Sequence, residues 1–271
     1  MRIAGFELRN ARSIAGGDIC SAYRGALDDG TIVFAKTRSG LPPDFFTVEA
    51  DGLDLLRVAG GPPIPSVIAA SDDGLVLGWV EQGRPTVDAA RQFGRALARM
   101  HAAALSSFGA ARDGYVGSLP LPNTTYDDWP TFYVENRLVP YLDALSSSQR
   151  RPIEAVCSRI DELAGPPEPA ARIHGDLWSG NLLWGADEQV WLIDAAAAHG
   201  GHRETDLAML QWFGAPHLEV ILAAYDQEFP LAPGWRDRVA LHQLHSMLVH
   251  ATLFGGGYGD RAAAAAASLR L

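Results

Sequence analysis

Asp176, Asn181 and Asp194 are the residues of this chain whose types and spacing could do chemistry. They stand in RIHGDLWSGNLLW, residues 172–184, and QVWLIDAA, residues 189–196. An Asp, an amide five residues on and a second Asp thirteen residues later offer one proton acceptor and two hard oxygen ligands. Such groups between apolar stretches are costly unless they have partners. Either the loop is an ordinary solvated turn, or its partners are a metal ion and a substrate. In the second case Asp176 accepts the proton of an attacking hydroxyl. Asn181 and Asp194 then hold Mg²⁺, which neutralises phosphate charge as a phosphoryl group moves.

Those groups need elements to position them. The first eighty residues read as β-rich: a strand into the Gly16-Gly17 turn, a strand in CSAYRGAL, a DDG hairpin turn and a strand in TIVFAKT. Ile32, Phe34 and Lys36 share one face of the last strand. LPPDFF, with two prolines and Asp44, predicts a helix start; Phe46, Glu49, Leu53 and Leu56 then recur at helical spacing. Glu49 therefore lies on an apolar face, where a carboxylate needs a cation, and Lys36 is the obvious candidate. Each has the alternative of an exposed charge, which is the better reading of Lys36 alone, but for the pair in this order the ion pair is preferred. GGPPIPSV is a breaker-rich loop, and LVLGWV, residues 75–80, a buried strand. From Val87 the pattern turns helical, with helices expected over 88–105, 127–145, 150–164 and from about Glu204 onward. The expected organisation is α+β: a small β-rich lobe over residues 1–81, a hinge near 78–85 and a larger helical lobe over residues 82–271. In strand–loop–strand context, with Lys36 and Glu49 ahead of it, the Asp–Asn–Asp series has the order of protein-kinase catalytic parts.

Bulk properties narrow the class. The chain has 271 residues, 48 % of them hydrophobic and 20 % charged, which reads as globular. A formal net charge of −10 argues against a nucleic-acid partner. Two cysteines, Cys20 and Cys157, imply no disulfide framework. There is no apolar run of membrane-spanning length, and MRIAGFELRN does not read as a signal peptide, so the expected compartment is the cytoplasm.

Other candidates carry two readings each. His174 reads as a packed residue that orients its loop and, with Trp178, borders the acceptor. Trp178 is either core beneath the loop or an apolar wall against a substrate, and the wall is the reading preferred. Cys20 is a small apolar filler or an oxidisable thiol. His101 reads as a core histidine, Asp206 as a residue that ties down its helix start. His199, His202, His242 and His245 form no zinc spacing.

HGDLWSGN, WLID and GHRETDLAML together resemble the fructosamine (ketosamine) kinase family, which shares the fold of aminoglycoside and choline kinases. FFTVEADGLDLL, NTTYDDWPTFYVENRL and LVHATLFGGGY extend the resemblance over nearly the whole chain. It implies a bilobal protein-kinase-like fold and ATP- and Mg²⁺-dependent phosphorylation of the sugar 3-hydroxyl of a ketosamine, which then falls apart and frees the amine. It also implies phosphate contacts from Gly16, Gly17 and Ser21, and adenine contacts from the main chain at Trp79 and Val80. The chain departs from the family in lacking the three spaced glycines of the wider kinase loop. Ala195 follows the metal Asp where Pro is usual, and Gly78 stands in the hinge where Glu is common. The alternatives are an aminoglycoside, choline or homoserine kinase of the same fold, or a nucleotide-binding module without catalysis; the latter would be expected to lack one of Asp176, Asn181 or Asp194.

Overall fold

The computed structural model describes residues 1–14 and 20–269. Gly16 and Gly17, and the turn expected at them, lie outside the described residues.

A short ribbon of β1 (Arg2–Ile3) and β2 (Phe6–Glu7) leads into β3 (Arg9–Ile14), β4 (Ser21–Ala26) and β5 (Ile32–Thr37). Helix α1 (Phe45–Leu56), β6 (Val67–Ser71) and β7 (Gly74–Gly78) follow. The strands from β3 onward form an antiparallel sheet in the order β3-β4-β5-β7-β6. β5 is central: Lys36 is paired with Ala22 on one side and Leu75 on the other. The two-residue period sorts its faces. Val33 and Ala35 pack with Ile3, Leu8 and Val76, whereas Phe34 packs on the cluster that contains α1. On α1, Phe46, Glu49, Leu53 and Leu56 are all buried, as their spacing predicts. Asp44 stands at the helix start but makes no cap bond; its carboxylate accepts from Tyr115 Oη at 2.6 Å instead.

Beyond β7 the chain is largely helical. Thr86 caps α2 (Val87–Ala102) by accepting from the Ala89 N–H at 3.1 Å. A hairpin of β8 (Gly114–Val116) and β9 (Leu119–Leu121) then appears where no strand was expected. The helix expected over 127–145 is in fact three pieces: α3 (Trp129–Tyr133), a π turn over Val134–Leu138 and a 3-10 segment over Val139–Ala144. Pro140 has no N–H to donate, so the α ladder cannot continue through it. The helix expected over 150–164 divides into α4 (Ser147–Cys157) and α5 (Ile160–Leu163). Two antiparallel ribbons follow, β10 (Ala171–Ile173) with β13 (His199–Gly201) and β11 (Leu182–Trp184) with β12 (Val190–Leu192). The remainder is α6 (Glu204–Phe213), α7 (Leu218–Glu228), α8 (Trp235–Phe254) and α9 (Tyr258–Ser268).

The result is a bilobal α+β fold. One apolar cluster runs from α1 (Phe46, Leu53) through α2 (Leu97) to β12 (Leu192) and α7 (Ile221), so it joins the sheet side to the helical side. A second lies among α3, α4, α8 and α9. Among the described residues no helix is long and apolar enough to cross a membrane.

Candidate active site

A cleft of about 850 Å³ lies between the sheet and the helical part. Lys36, Glu49, Trp79, Val80, Asp176, Trp178, Asn181 and Asp194 all line it. Five parts of the chain bring these residues together: β5, α1, the segment just after β7, the loop between β10 and β11, and the segment just after β12.

The Lys36 ammonium sits 2.6 Å from a Glu49 carboxylate oxygen and also bonds Asp194. Glu49 is 1 % exposed, so the ion pair inferred from its apolar helix face is present. Burial pushes the Lys36 pKa down, but Glu49 and Asp194 more than offset it and hold the ammonium charged. Burial pushes Glu49 up against the pull of Lys36. Asp194 differs. Burial raises it, yet Lys36 outweighs that and leaves its carboxyl below the ordinary value. Its side chain remains 44 % exposed to the cleft. The residue has a φ of 59°, a left-handed conformation that Asp tolerates better than most side chains.

The loop after β10 is fixed from behind. Asp206, fully buried on α6, accepts from the backbone N–H groups of His174 at 2.8 Å and Gly175 at 3.0 Å. His101 Nε2 approaches the same carboxylate at 3.1 Å, and its Nδ1 lies 2.9 Å from Tyr225 Oη. Asp206 thus ties down the loop carrying Asp176, more than its own helix start. Gly175 has a φ of +78°, and a Cβ there would overlap the Ala197 carbonyl, so the turn needs glycine. Asn181 Nδ2 donates to the Asp176 backbone oxygen at 2.8 Å and reaches an Asp176 carboxylate oxygen at 3.3 Å. Burial pushes the Asp176 pKa up; His174 draws it down, Asp194 adds to the rise, and the net direction is up.

Mg²⁺ fits this donor set. Asn181 spends its N–H₂ group on Asp176, and among the described residues nothing donates to its Oδ1. Glu49 and Asp194 converge on a single ammonium, which leaves an excess of carboxylate charge facing the cleft. Neutral and charged hard oxygens with unspent lone pairs are what this ion takes.

Two expected positions are not brought to the cleft. His174 is fully buried, its Nε2 donating to the Ile193 carbonyl at 2.8 Å, so it supports the loop and does not border an acceptor. Ser21 does not line the cleft, whereas Cys20 and Ala22 do, because alternate residues of a strand face opposite ways. Gly78 leaves room for Ser66, whose hydroxyl a Cβ would crowd at 2.6 Å.

The family model described as fructosamine kinase matches residues 2–270. The chain belongs to the fructosamine kinase family. It is 31 % identical over 257 residues to a probable ketoamine kinase of Enterococcus faecium, covering 92 % of this chain and 91 % of that protein. A crystal structure from Thermobifida fusca, described as a fructosamine-3-kinase, superposes with a TM-score of 0.91 at 45 % identity, covering 98 % of this chain and 95 % of that one. An aminoglycoside phosphotransferase solved with ADP and hygromycin B has a TM-score of 0.65 at 15 % identity, over 97 % of this chain and 95 % of that one, and shows the fold alone. The family membership makes the chain a kinase.

The cleft also has a wall that sequence reasoning found only in part. Trp178, 37 % exposed, lies with its ring centre 5.8 Å from that of Phe213, itself 41 % exposed. His250, Leu253, Phe254 and Tyr258 complete this side. His250 donates from Nδ1 to the Ser246 carbonyl at 2.7 Å, so Nε2 is the ring nitrogen left for a ligand. His250, Leu253 and Phe254 stand at i, i+3 and i+4 on the end of α8, a spacing the sequence carried. The four histidines weighed for a zinc spacing divide. His202 and His242 converge with Glu204, but Arg238 takes both Glu204 oxygens at 2.5 and 3.0 Å, which marks a structural ion pair. His199 and His245 are buried, and burial lowers the pKa of both.

Proposed function

We infer that this kinase transfers the terminal phosphoryl group of ATP, with Mg²⁺, to the 3-hydroxyl of the sugar part of a ketosamine. One observation carries the reading. Lys36–Glu49–Asp194 and Asp176–Asn181 face one cleft whose other wall is an apolar aromatic surface. In this reading Asp176 accepts the hydroxyl proton, Asn181 and Asp194 hold the metal, and Lys36 steadies the phosphates while Glu49 keeps it in place. The metal supplies charge neutralisation on the phosphates. Trp79 and Val80 border the adenine; among the described residues no bond occupies the Val80 N–H. Gly16 and Gly17 remain assigned to phosphate contact on the resemblance alone. Trp178 covers the C–H face of the sugar, and His250 Nε2 accepts from a hydroxyl or the amine. The dividing line between lobes falls between Gly78 and Val87. The net charge of −10 argues against nucleic acid as a partner, and the cytoplasm is the compartment this reading favours.

Enolisation of the ketone towards the first carbon expels inorganic phosphate from the third, and water then hydrolyses the resulting imine to a sugar carbonyl and the free amine. The test is product analysis after incubation with ATP, Mg²⁺ and fructosyl-lysine. Phosphorus NMR and mass spectrometry should find a 3-phosphate followed by free lysine. Phosphate on any other hydroxyl, or none, would defeat the assignment.

A further inference from the structure

The β8–β9 hairpin supplies none of the reacting groups above, yet Tyr115, Val116, Gly117 and Ser118 line the same cleft and the hairpin touches both halves of the chemistry. On its outer side Tyr115 Oη donates to Asp44 at 2.6 Å, at the head of α1. The Tyr115 ring lies against Phe45 with centroids 5.0 Å apart. Arg112, just before the hairpin, pairs with Asp51 on α1 at 2.5 Å. On its inner side the Tyr115 N–H donates to the Ala196 carbonyl at 3.0 Å, two residues past Asp194. The hairpin therefore spans from the helix that carries Glu49 to the segment that carries Asp194.

Its base is held unusually firmly. Asp113 accepts from the Asn123 N–H at 2.8 Å, and Arg137 Nη2 donates to Asn123 Oδ1 at 2.6 Å. Arg137 is 3 % exposed and also donates to the carbonyls of Pro122 and Asn136. A buried guanidinium bonded to carbonyl oxygens, with no ion pair among the described residues, is an expensive anchor. α1 also meets the Asp194 segment directly: a Cβ on Gly52 would overlap the Ala195 carbonyl, so the two backbones touch there.

We propose that the hairpin Gly114–Leu121 is a fixed strut that holds α1 against the Asp194 segment, with Tyr115 and Arg112 as its positioning residues. Lys36 is shared between Glu49 and Asp194. If α1 drifts outward, Glu49 leaves and the ammonium is bonded by Asp194 alone, the carboxylate the metal needs. The strut keeps Glu49 in the contest for the ammonium and so loosens the hold of Lys36 on Asp194. It makes the paired geometry permanent, with no switch needed to assemble it.

This inference rests on the phosphotransfer reading for its kinetic part only. The test uses Tyr115→Phe combined with Arg112→Ala, both at contacts that reach the surface. Hydrogen–deuterium exchange should rise in residues 45–56 while the melting temperature stays nearly constant. The Mg²⁺ concentration for half-maximal ADP binding should rise about two- to tenfold, the span set by losing one or two such bonds. Exchanging the charges, Arg112→Asp with Asp51→Arg, should restore protection in α1 relative to Arg112→Asp alone. Unchanged α1 exchange in the double variant, or an unchanged Mg²⁺ requirement with α1 loosened, overturns the strut. Exchange and ADP binding need no acceptor, so failure of the ketosamine reading would leave this test intact.

Discussion

At one end of the cleft Glu49 and Asp194 both bond the Lys36 ammonium, and Asp206 and His101 hold the neighbouring loop from behind. At the other end Trp178, Phe213, His250 and Phe254 meet by ring faces and edges, and Phe254 is 68 % exposed. The first end has almost no freedom, because moving any charge strands another in a low-dielectric site. The second can repack, because apolar contacts are non-directional. The phosphoryl-transfer parts belong to the rigid end; acceptor choice belongs to the adaptable one. Substitutions should therefore divide by region, with rate lost at one end and acceptor affinity at the other.

The largest effect is expected at the rigid end. Asp176→Asn should lower turnover by about two to four orders of magnitude while ADP still binds, the usual worth of a positioned base. Single-turnover kinetics with calorimetry on the same variant checks both parts; near-normal turnover would remove Asp176 from the role. Asp194→Ala should abolish Mg²⁺-dependent turnover in a folded protein, and an unchanged Mg²⁺ dependence would contradict its place as a ligand.

Asp206→Ala sharpens the comparison by removing support instead of chemistry. It strands the N–H groups of His174 and Gly175, at a cost of about 3 kcal/mol. A drop in melting temperature of about 6 to 12 °C should follow for a chain this long. A variant that melts as wild type would show that the loop is held elsewhere.

These two ends were not equally legible in the sequence. Asp176, Asn181 and Asp194 have fixed separations within one strand–loop–strand unit, and Glu49 betrayed its pairing by lying on an apolar helix face. The aromatic wall comes from α6, α8 and α9, whose meeting is set by packing, so only Trp178, inside the catalytic loop, was found. The β8–β9 hairpin was missed although its signal was present. Tyr115 and Val116 precede Gly117-Ser118, a two-residue turn pair, and LPL follows. Ser21 and His174 were misplaced for one reason: nearness in sequence to a functional group does not set which way a side chain faces.

Trp178→Ala should raise the Michaelis constant for a ketosamine about tenfold and change that for ATP little, since a buried aromatic face is worth about 1.5 kcal/mol. The half-exposed ring packs over Gly180, where a Cβ would overlap it, so a small fall in melting temperature accompanies the change. A large fall with unaltered ketosamine affinity would make Trp178 core.

The smallest effect is expected at Cys20. Burial pushes its thiol pKa up, which leaves little thiolate at neutral pH and favours the role of apolar filler. Brief alkylation of the native protein at neutral pH should cost little activity, and Cys20→Ser should behave alike. Rapid inactivation of wild type with resistance in Cys20→Ser would reverse that view.

The division of labour is tested most directly by ADP formation with fructosyl-lysine, ribulosyl-lysine, kanamycin and choline side by side, in wild type and Trp178→Ala. Wild type should turn over the two ketosamines well above its acceptor-free background and the other two no faster than that background. Trp178→Ala should lose that preference through the acceptor's Michaelis constant while the Michaelis constant for ATP holds. Turnover of kanamycin or choline at the ketosamine rate, or a loss in Trp178→Ala that falls on ATP, would contradict the account.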